Sequence, residues 1–335
     1  MVLHPPVEPM LAQPAEALPR PEVIARGAVM EPKWDGYRML LFTGVADADG
    51  VRSVQLQSRR GAPLQRRFPD LVRAAEALPD ALVLDGELVV WEQGRVSFEA
   101  LHQRATAARG AVAGLADRMP AHYVVFDVLQ AGGRHLVPLA YRERRKVLEE
   151  LFAQHRLEPP WTLCPVTADL DQARQWMEQW TRVGVEGVVI KNLDQPYLPG
   201  DRGWRKVKYR SSQEAVIAAV TGSLGRPGTV LLGRYDAAGR LHRVGRSTTL
   251  TAAASRSLAA SLTPASSDHP WAGRTFSAGW GRGERMLDVE LVAPALVAEV
   301  SADTAVDGGR WRHPVRFQRV RADMAPADVP PFDAG

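Results

Sequence analysis

Two periods of apolar residues run through the chain, and they are not evenly mixed. Up to about position 209, short apolar runs alternate with stretches in which apolar residues recur every three or four positions. The runs Met39-Leu40-Leu41-Phe42 and Val54-Gln55-Leu56-Gln57 predict strands, as does Tyr123 to Leu129, ended by Gly132-Gly133. Leu82 to Trp91 predicts a buried pair of strands carrying a hairpin. Leu71, Val72, Ala75 and Leu78 stand at helical spacing in 69–78, and Val147, Leu148, Leu151 and Phe152 do so in 142–152. A further helix is predicted to begin at Asp169 or Asp171, either of which can cap it. It would run to Arg182 with Trp176, Met177 and Trp180 on its core face. The first 28 residues, rich in proline and alanine, predict an irregular lead-in.

Beyond Tyr209 the pattern becomes one of short strands, at 215–220, 229–235, 241–245, 287–291, 296–300 and 315–320. Turn residues such as Asp236-Ala237-Ala238-Gly239 separate them, and one helix is predicted over 249–262. A mixed block followed by a β block predicts two domains, 1–210 and 211–335, the second a small barrel. Strand–helix units do not repeat in the first block, which argues against a doubly wound sheet.

Composition narrows the classes. With 45% apolar and 24% charged residues, the chain is neither disordered nor collagen-like. The one cysteine, Cys164, excludes an intrachain disulfide framework and a cysteine-cluster zinc site. No apolar run approaches the roughly 20 residues of a membrane span, and the N-terminus lacks a signal-peptide pattern, so a cytoplasmic protein with no membrane partner is expected. A net charge of +4 and a pI near 9.4 suit a nucleic-acid partner without requiring one. More telling is that of 42 basic residues only five are lysine. Arginine cannot give up its proton and attack, whereas lysine can, and four of the five lysines (Lys33, Lys191, Lys206 and Lys208) fall in three short segments.

The first of these segments is Glu31-Pro32-Lys33-Trp34-Asp35-Gly36-Tyr37-Arg38. A lysine becomes a nucleophile when burial or neighbouring cations bring its pKa down from about 10.4. Arg38 would supply such a charge and could also bind a phosphate. By itself, the Lys-x-Asp-Gly sequence is equally that of a surface lysine beside a tight turn.

Lys33-Trp34-Asp35-Gly36-Tyr37-Arg38 resembles the nucleotidyl-acceptor motif of covalent nucleotidyltransferases, the superfamily of ATP-dependent DNA ligases, RNA ligases and mRNA-capping enzymes. Further segments resemble the remaining motifs in order: Ser58-Arg59-Arg60-Gly61, Leu84-Asp85-Gly86-Glu87, Val125 to Leu129, Val185-Glu186-Gly187 to Lys191, Trp204-Arg205-Lys206-Val207-Lys208, and Arg319-Val320-Arg321-Ala322-Asp323. Together they span 31–323 and resemble most the small two-domain bacterial ATP-dependent DNA ligases. The resemblance implies an α+β nucleotidyltransferase domain, ATP-grasp-like, of mostly antiparallel sheets with flanking helices. An all-β oligonucleotide-binding barrel would follow it.

The same resemblance implies residue roles. Lys33 would take up AMP from ATP, assisted by Arg38, Lys206 and Lys208. Glu31 would meet the adenine amino group, Phe126 would stack on the ring, and Glu87 would accept a hydrogen bond from the ribose. Lys191 would join the nucleotide-binding cations. Arg59 would contact phosphate at a strand break. Arg319, Arg321 and Asp323 would orient the β- and γ-phosphates, with Met324 where the family usually has lysine. Glu186, with Glu87, would hold Mg²⁺, or Mn²⁺ in its place, since such ions favour one or two carboxylates plus phosphate and water. Without the other motifs, Glu186 reads equally as a partner of Lys191 or Arg182. Lys206 and Lys208 alternate along a strand and so share one face, which would neutralise charge in the transfer and depress the pKa of Lys33, with Trp204 and Val207 expected on the other face.

The expected activity is DNA ligation at a 5′-phosphate/3′-hydroxyl nick in double-stranded DNA, through lysyl-AMP. An RNA ligase, a capping guanylyltransferase and a catalytically dead nucleic-acid-binding scaffold are the rivals. Ser211-Ser212-Gln213 is expected to be the hinge that lets the barrel serve ATP and DNA in turn. About 30 residues precede Lys33, so a separate helical DNA-binding domain is not expected there. The expectation is a monomer with a weak grip on nicks, working on the nucleoid of a bacterium with repair or end-joining proteins.

Overall fold

The structure, a computed structural model, describes residues 3–46, 52–277, 286–303 and 305–331. It divides between Tyr209 and Arg210 into two units, each with its own cores. The first runs β1 (Ala12–Pro14), α1 (Pro21–Ala25), β2 (Ala28–Trp34), β3 (Tyr37–Ala46), β4 (Arg52–Ser58), α2 (Pro69–Ala75), β5 (Val83–Glu92) and β6 (Arg95–Val96). It continues through α3 (Phe98–Thr106), α4 (Val112–Arg118), β7 (Ala121–Ala131), β8 (Arg134–His135), α5 (Tyr141–Gln154), β9 (Trp161–Leu163), α6 (Leu170–Gln179), β10 (Val185–Asn192) and β11 (Trp204–Lys208).

Two sheets face each other in this unit. The larger has the order β4-β3-β5-β7-β8, mostly antiparallel, with β9 parallel to β7. The smaller has the order β1-β11-β10-β2. Because side chains alternate along a strand, each sheet buries both faces. Leu41, Leu84, Leu88 and Val125 pack outward against Leu71, Leu101 and Leu148 of the helices. Leu40, Phe42, Val83 and Val124 pack inward with Met10, Tyr197 and Trp204. Met30, Val188, Ile190 and Val207 cover Ala173 and Trp176 of α6 on the far side of the smaller sheet.

Several expectations are corrected. Positions 82–91 form no hairpin: β5 runs unbroken, and Gly86 is there because β7 passes close by. A Cβ at Gly86 would lie 2.5 Å from the Val124 carbonyl and 2.7 Å from the Tyr123 ring. The lead-in is partly ordered into β1, parallel to β11, and α1, with Met10 fully buried. Helix α6 is capped by Asp169, which accepts from Asp171 N at 2.8 Å, and stops at Gln179 in a 3₁₀ turn over Trp180–Val183. Helices α3 and α4 were not expected, because α3 offers only Ala100, Leu101 and a buried Arg104 to the core, and Arg104 is paired with Asp70 at 2.6 Å.

The second unit contains β12 (Arg210–Ser223), β13 (Arg226–Tyr235), β14 (Leu241–Arg246), α7 (Ala252–Ala259), β15 (Phe276–Ser277), β16 (Met286–Leu287), β17 (Val289–Asp303), β18 (Val306–Asp307), β19 (Arg310–Trp311) and β20 (Arg316–Val320). Its main sheet has the order β14-β13-β12-β17-β20. Val315 N donates to Arg246 O at 2.9 Å and Thr248 N to Val315 O at 2.8 Å, which joins the two edge strands into a barrel around Ile217, Leu232, Val244 and Val300. The strands expected at 287–291 and 296–300 are mostly one long strand, β17. The expected hinge, Ser211-Ser212-Gln213, lies inside β12 and is paired with Ala302, Ser301 and Val300 of β17. Only Tyr209 lies between β11 and β12, and its amide is tied to Glu186 O at 2.9 Å.

Candidate active site

Lys33 lies near the end of β2, with its side chain 23% exposed, and its ammonium donates to Glu186 Oε1. Glu186 is the second residue of β10 and is nearly buried. Gly187 follows it with φ of +151°, and any Cβ there would strike the Val207 carbonyl of β11. Glycine thus lets β10 press against β11, and the register shifts between Val185 and Val188, beside the glutamate. The second Glu186 oxygen meets Lys208 Nζ at 2.6 Å. One carboxylate therefore ties together two lysines that are 175 positions apart in the chain.

The charges tune one another. Burial works against the Glu186 anion, but Lys33 and Lys208 hold its carboxyl below the ordinary range. Burial lowers the pKa of Lys206, with Lys33 and Lys208 adding repulsion and Glu186 opposing. Arg59, in the turn after β4, is close enough to add to that repulsion. Glu87 of β5 is pushed up to about 7 by burial, against the pull of Lys33 and Arg38 and with repulsion from Asp35 and Glu186. Lys33, Glu87, Glu186, Lys206 and Lys208 thus form one electrostatic group. Within it, Lys33 is directly bonded to the Glu186 anion.

Arg38 is committed elsewhere. Its Nε and Nη2 each lie 2.5 Å from an oxygen of buried Asp85, and Nη2 also donates to Met10 O at 3.1 Å. Tyr197 donates its hydroxyl to the same carboxylate at 2.6 Å. The guanidinium sits 4.7 Å from the Phe126 ring centroid and 5.0 Å from that of Trp204. Its charge is therefore balanced at Asp85 in this structure.

Lys191 belongs to a second buried ion pair. Its side chain is 1% exposed, with Nζ at 2.8 Å from Glu31 Oε2 and 3.1 Å from Phe126 O, among the rings of Phe126, Tyr141 and Trp204. Both oxygens of Glu31 are occupied, since Tyr141 donates its hydroxyl to Oε1. The pair lies against Phe126 and is closed off from solvent. Trp204 was misassigned by face: it has the parity of Lys206 and Lys208 and packs with Phe126 and Tyr197, whereas Val207 lies opposite, with Arg205.

Asp85, Tyr141 and Tyr197 were not singled out from the sequence. Asp85 stood inside a quoted motif, beside Glu87, whereas the tyrosines carry no local signal. Arg319 lies on β20, with Arg321 and Asp323 just after it, all in the second unit. Among the described residues no cluster of three or more His, Cys, Asp or Glu stands ready for a metal ion. Glu186 and Glu87 are hard oxygen donors within electrostatic reach of each other, which fits an ion that takes its remaining ligands from phosphate and water. Among the described residues no helix is long and apolar enough to cross a membrane.

The family model of the ATP dependent DNA ligase domain matches residues 9–208, and that of the ATP dependent DNA ligase C terminal region matches 224–324. DNA ligase C2 of Mycolicibacterium smegmatis is 34% identical over 98% of this chain and 96% of its own length. DNA ligase C of Mycobacterium tuberculosis is 34% identical over 96% of this chain and 92% of its own. The multifunctional non-homologous end joining DNA repair protein LigD of M. tuberculosis is 33% identical over 89% of this chain but only 37% of its own length. Among solved structures, the ligase domain of M. tuberculosis LigD covers 97% of this chain and 98% of its own, at 29% identity and a TM-score of 0.50. A Lig E DNA ligase covers 93% and 99%, with a TM-score of 0.53 at 18% identity, which speaks to the fold alone.

Proposed function

The chain belongs to the ATP-dependent DNA ligase family, and from that premise we propose that it seals 5′-phosphate/3′-hydroxyl nicks in double-stranded DNA with Lys33 as the AMP carrier. The activity, ATP-dependent DNA ligation, and the nucleotidyltransferase-plus-barrel fold follow from the family. The observation that carries the residue-level reading is the bonding of Lys33 to Glu186, whose other oxygen holds Lys208.

In the first step the Lys33 amine attacks the α-phosphorus of ATP. The neutral amine forms a phosphorus–nitrogen bond, the bond to the pyrophosphate oxygen breaks, pyrophosphate departs, and the proton lost from nitrogen passes to water. Lys206 and Lys208, on the same strand face, stabilise the charge that gathers on the phosphoryl oxygens. Phe126, 9% exposed, edge-on to Trp204 and bonded through its carbonyl to Lys191, would offer its ring to the nucleobase. Glu186 and Glu87 would hold Mg²⁺, whose chemistry there is charge neutralisation of the triphosphate. AMP then passes to the 5′-phosphate of the nick, and the 3′-hydroxyl displaces it as the phosphodiester forms.

The resemblance to LigD, whose name gives non-homologous end joining and DNA repair, supports a place in DNA repair or end joining for this chain. To test the proposal, the protein is given a singly nicked duplex with ATP, with GTP, or with a ribonucleotide strand. Sealing of the DNA nick with ATP supports it. A preference for GTP, or sealing confined to RNA, contradicts it.

A further inference from the structure

The two arginines expected to meet the β- and γ-phosphates are already engaged inside the second unit. Arg319 on β20 reaches Glu299 of β17 through Nε and Nη2, each 2.8 Å from Oε2. The other Glu299 oxygen accepts from Ser212 Oγ at 2.9 Å. Arg321 places Nε and Nη2 on Asp323, at 2.9 and 2.8 Å, and Nη1 on Glu214 Oε1 at 3.2 Å, so all three of its nitrogens are bonded.

Strand register builds this arrangement. Glu214 of β12 lies directly opposite Glu299 of β17, and Glu299 lies directly opposite Arg319 of β20. Like charges at directly paired positions repel, so the two glutamates depend on the arginines. Hydrogen bonding by Ser212, with Arg319, holds Glu299 below the ordinary carboxyl range, and hydrogen bonding by Arg321 holds Asp323 at about 2. The group has three carboxylates against two guanidiniums. A polyphosphate that binds these guanidiniums competes with the carboxylates for them, and drawing the arginines away would leave two glutamates facing each other.

We propose that Glu214 and Glu299 act as built-in competitors of the triphosphate for Arg321 and Arg319, raising the ATP concentration at which Lys33 is adenylated. They are positioning residues, acting through the arginines. The inference rests on the reading that Arg319 and Arg321 contact the β- and γ-phosphates, and the test separates the two ideas.

The experiment measures single-turnover lysyl-AMP formation by the full chain across ATP concentrations, and separately the sealing of a pre-adenylated nick, which uses no triphosphate. Glutamine retains the shape and an acceptor oxygen but removes the charge. Glu214→Gln and Glu299→Gln are each expected to lower the half-saturating ATP concentration about two- to five-fold, the range set by an exposed ion pair. Sealing of the pre-adenylated nick should change less than that. Arg319→Ala should raise the half-saturating concentration, and Glu299→Asp, which keeps the charge, should stay near wild type. If Arg319→Ala leaves ATP dependence unchanged, the underlying reading fails. If Arg319→Ala weakens ATP use while both glutamine variants match or exceed the wild-type half-saturating concentration, the competitor role fails. An Asp variant that shifts as far as the Gln variant assigns the effect to packing and also overturns it.

Discussion

Arg38 of β3 and Asp85 of β5, diagonal neighbours on paired strands, form a two-point ion pair, each contact 2.5 Å long, beside Phe126, Trp204 and the Tyr197 hydroxyl. The Asp85 side chain is fully buried and that of Arg38 is 16% exposed. Removing one partner of such a pair leaves an uncompensated charge, which costs about 3–5 kcal/mol. Asp85→Ala is therefore expected to lower the midpoint of chemical denaturation sharply. A loss below about 1 kcal/mol would show that the pair is a surface contact in solution.

Lys191 and Glu31 lead to a related prediction with a different signature. Lys191→Met strands the buried Glu31 carboxylate and should destabilise by about 3–5 kcal/mol, while the double variant Lys191→Met/Glu31→Gln should recover much of that loss. A thermodynamic cycle built from denaturant unfolding of the two single variants and the double measures the coupling. Additive losses would mean that the two residues do not act as a pair.

Glu87 makes stability depend on pH. Its pKa in the fold, about 7, is raised from 4.5, so the native state holds the proton more tightly than the unfolded chain. The resulting penalty is absent below the unfolded value, grows as pH rises through the folded one, and is constant above it. Glu87→Gln, which removes the penalty, should match wild type near pH 4.5 and exceed it at pH 8. The gain should be on the order of 2 kcal/mol after allowance for partial solvent access. Thermal unfolding across that pH window measures it. A gap that is constant with pH would refute the shift.

Glu186 should matter to chemistry more than to stability. Glu186→Gln keeps an acceptor near Lys33 but leaves Lys33 and Lys208 without their shared anion. By holding Lys208 and the metal ion, Glu186 would place the cations that stabilise the transferring phosphoryl, and losing one such stabilising group costs about 10²–10³ in rate. Lysyl-AMP formation should fall by that order, with the unfolding midpoint moved little. Unchanged adenylation would remove Glu186 from the site.

Period and parity made much of this architecture legible in the sequence. The alternation in β11 showed that Lys206 and Lys208 share a face, and the same rule, applied consistently, places Trp204 with them. Helices α5 and α6 followed from their apolar spacing, and the barrel from its short strands. What stayed hidden depends on contacts distant in sequence. Glu31 and Lys191 look like separate ligand-binding residues until β2 and β10 pair and bring them together. Gly86 reads as a turn because nothing local reveals that β7 presses against it. Ser211 to Gln213 read as a hinge because small polar residues also suit a strand whose partners lie some 90 residues on.

The central claim is that the amine of Lys33 accepts AMP. Peptide mapping by mass spectrometry after incubation with ATP and Mg²⁺, before any DNA is added, tests it most directly. The account predicts one acid-labile AMP adduct, on the peptide containing Lys33, absent from Lys33→Ala, with sealing activity lost in the same variant. An adduct on another residue, or nick sealing that survives Lys33→Ala, would contradict it.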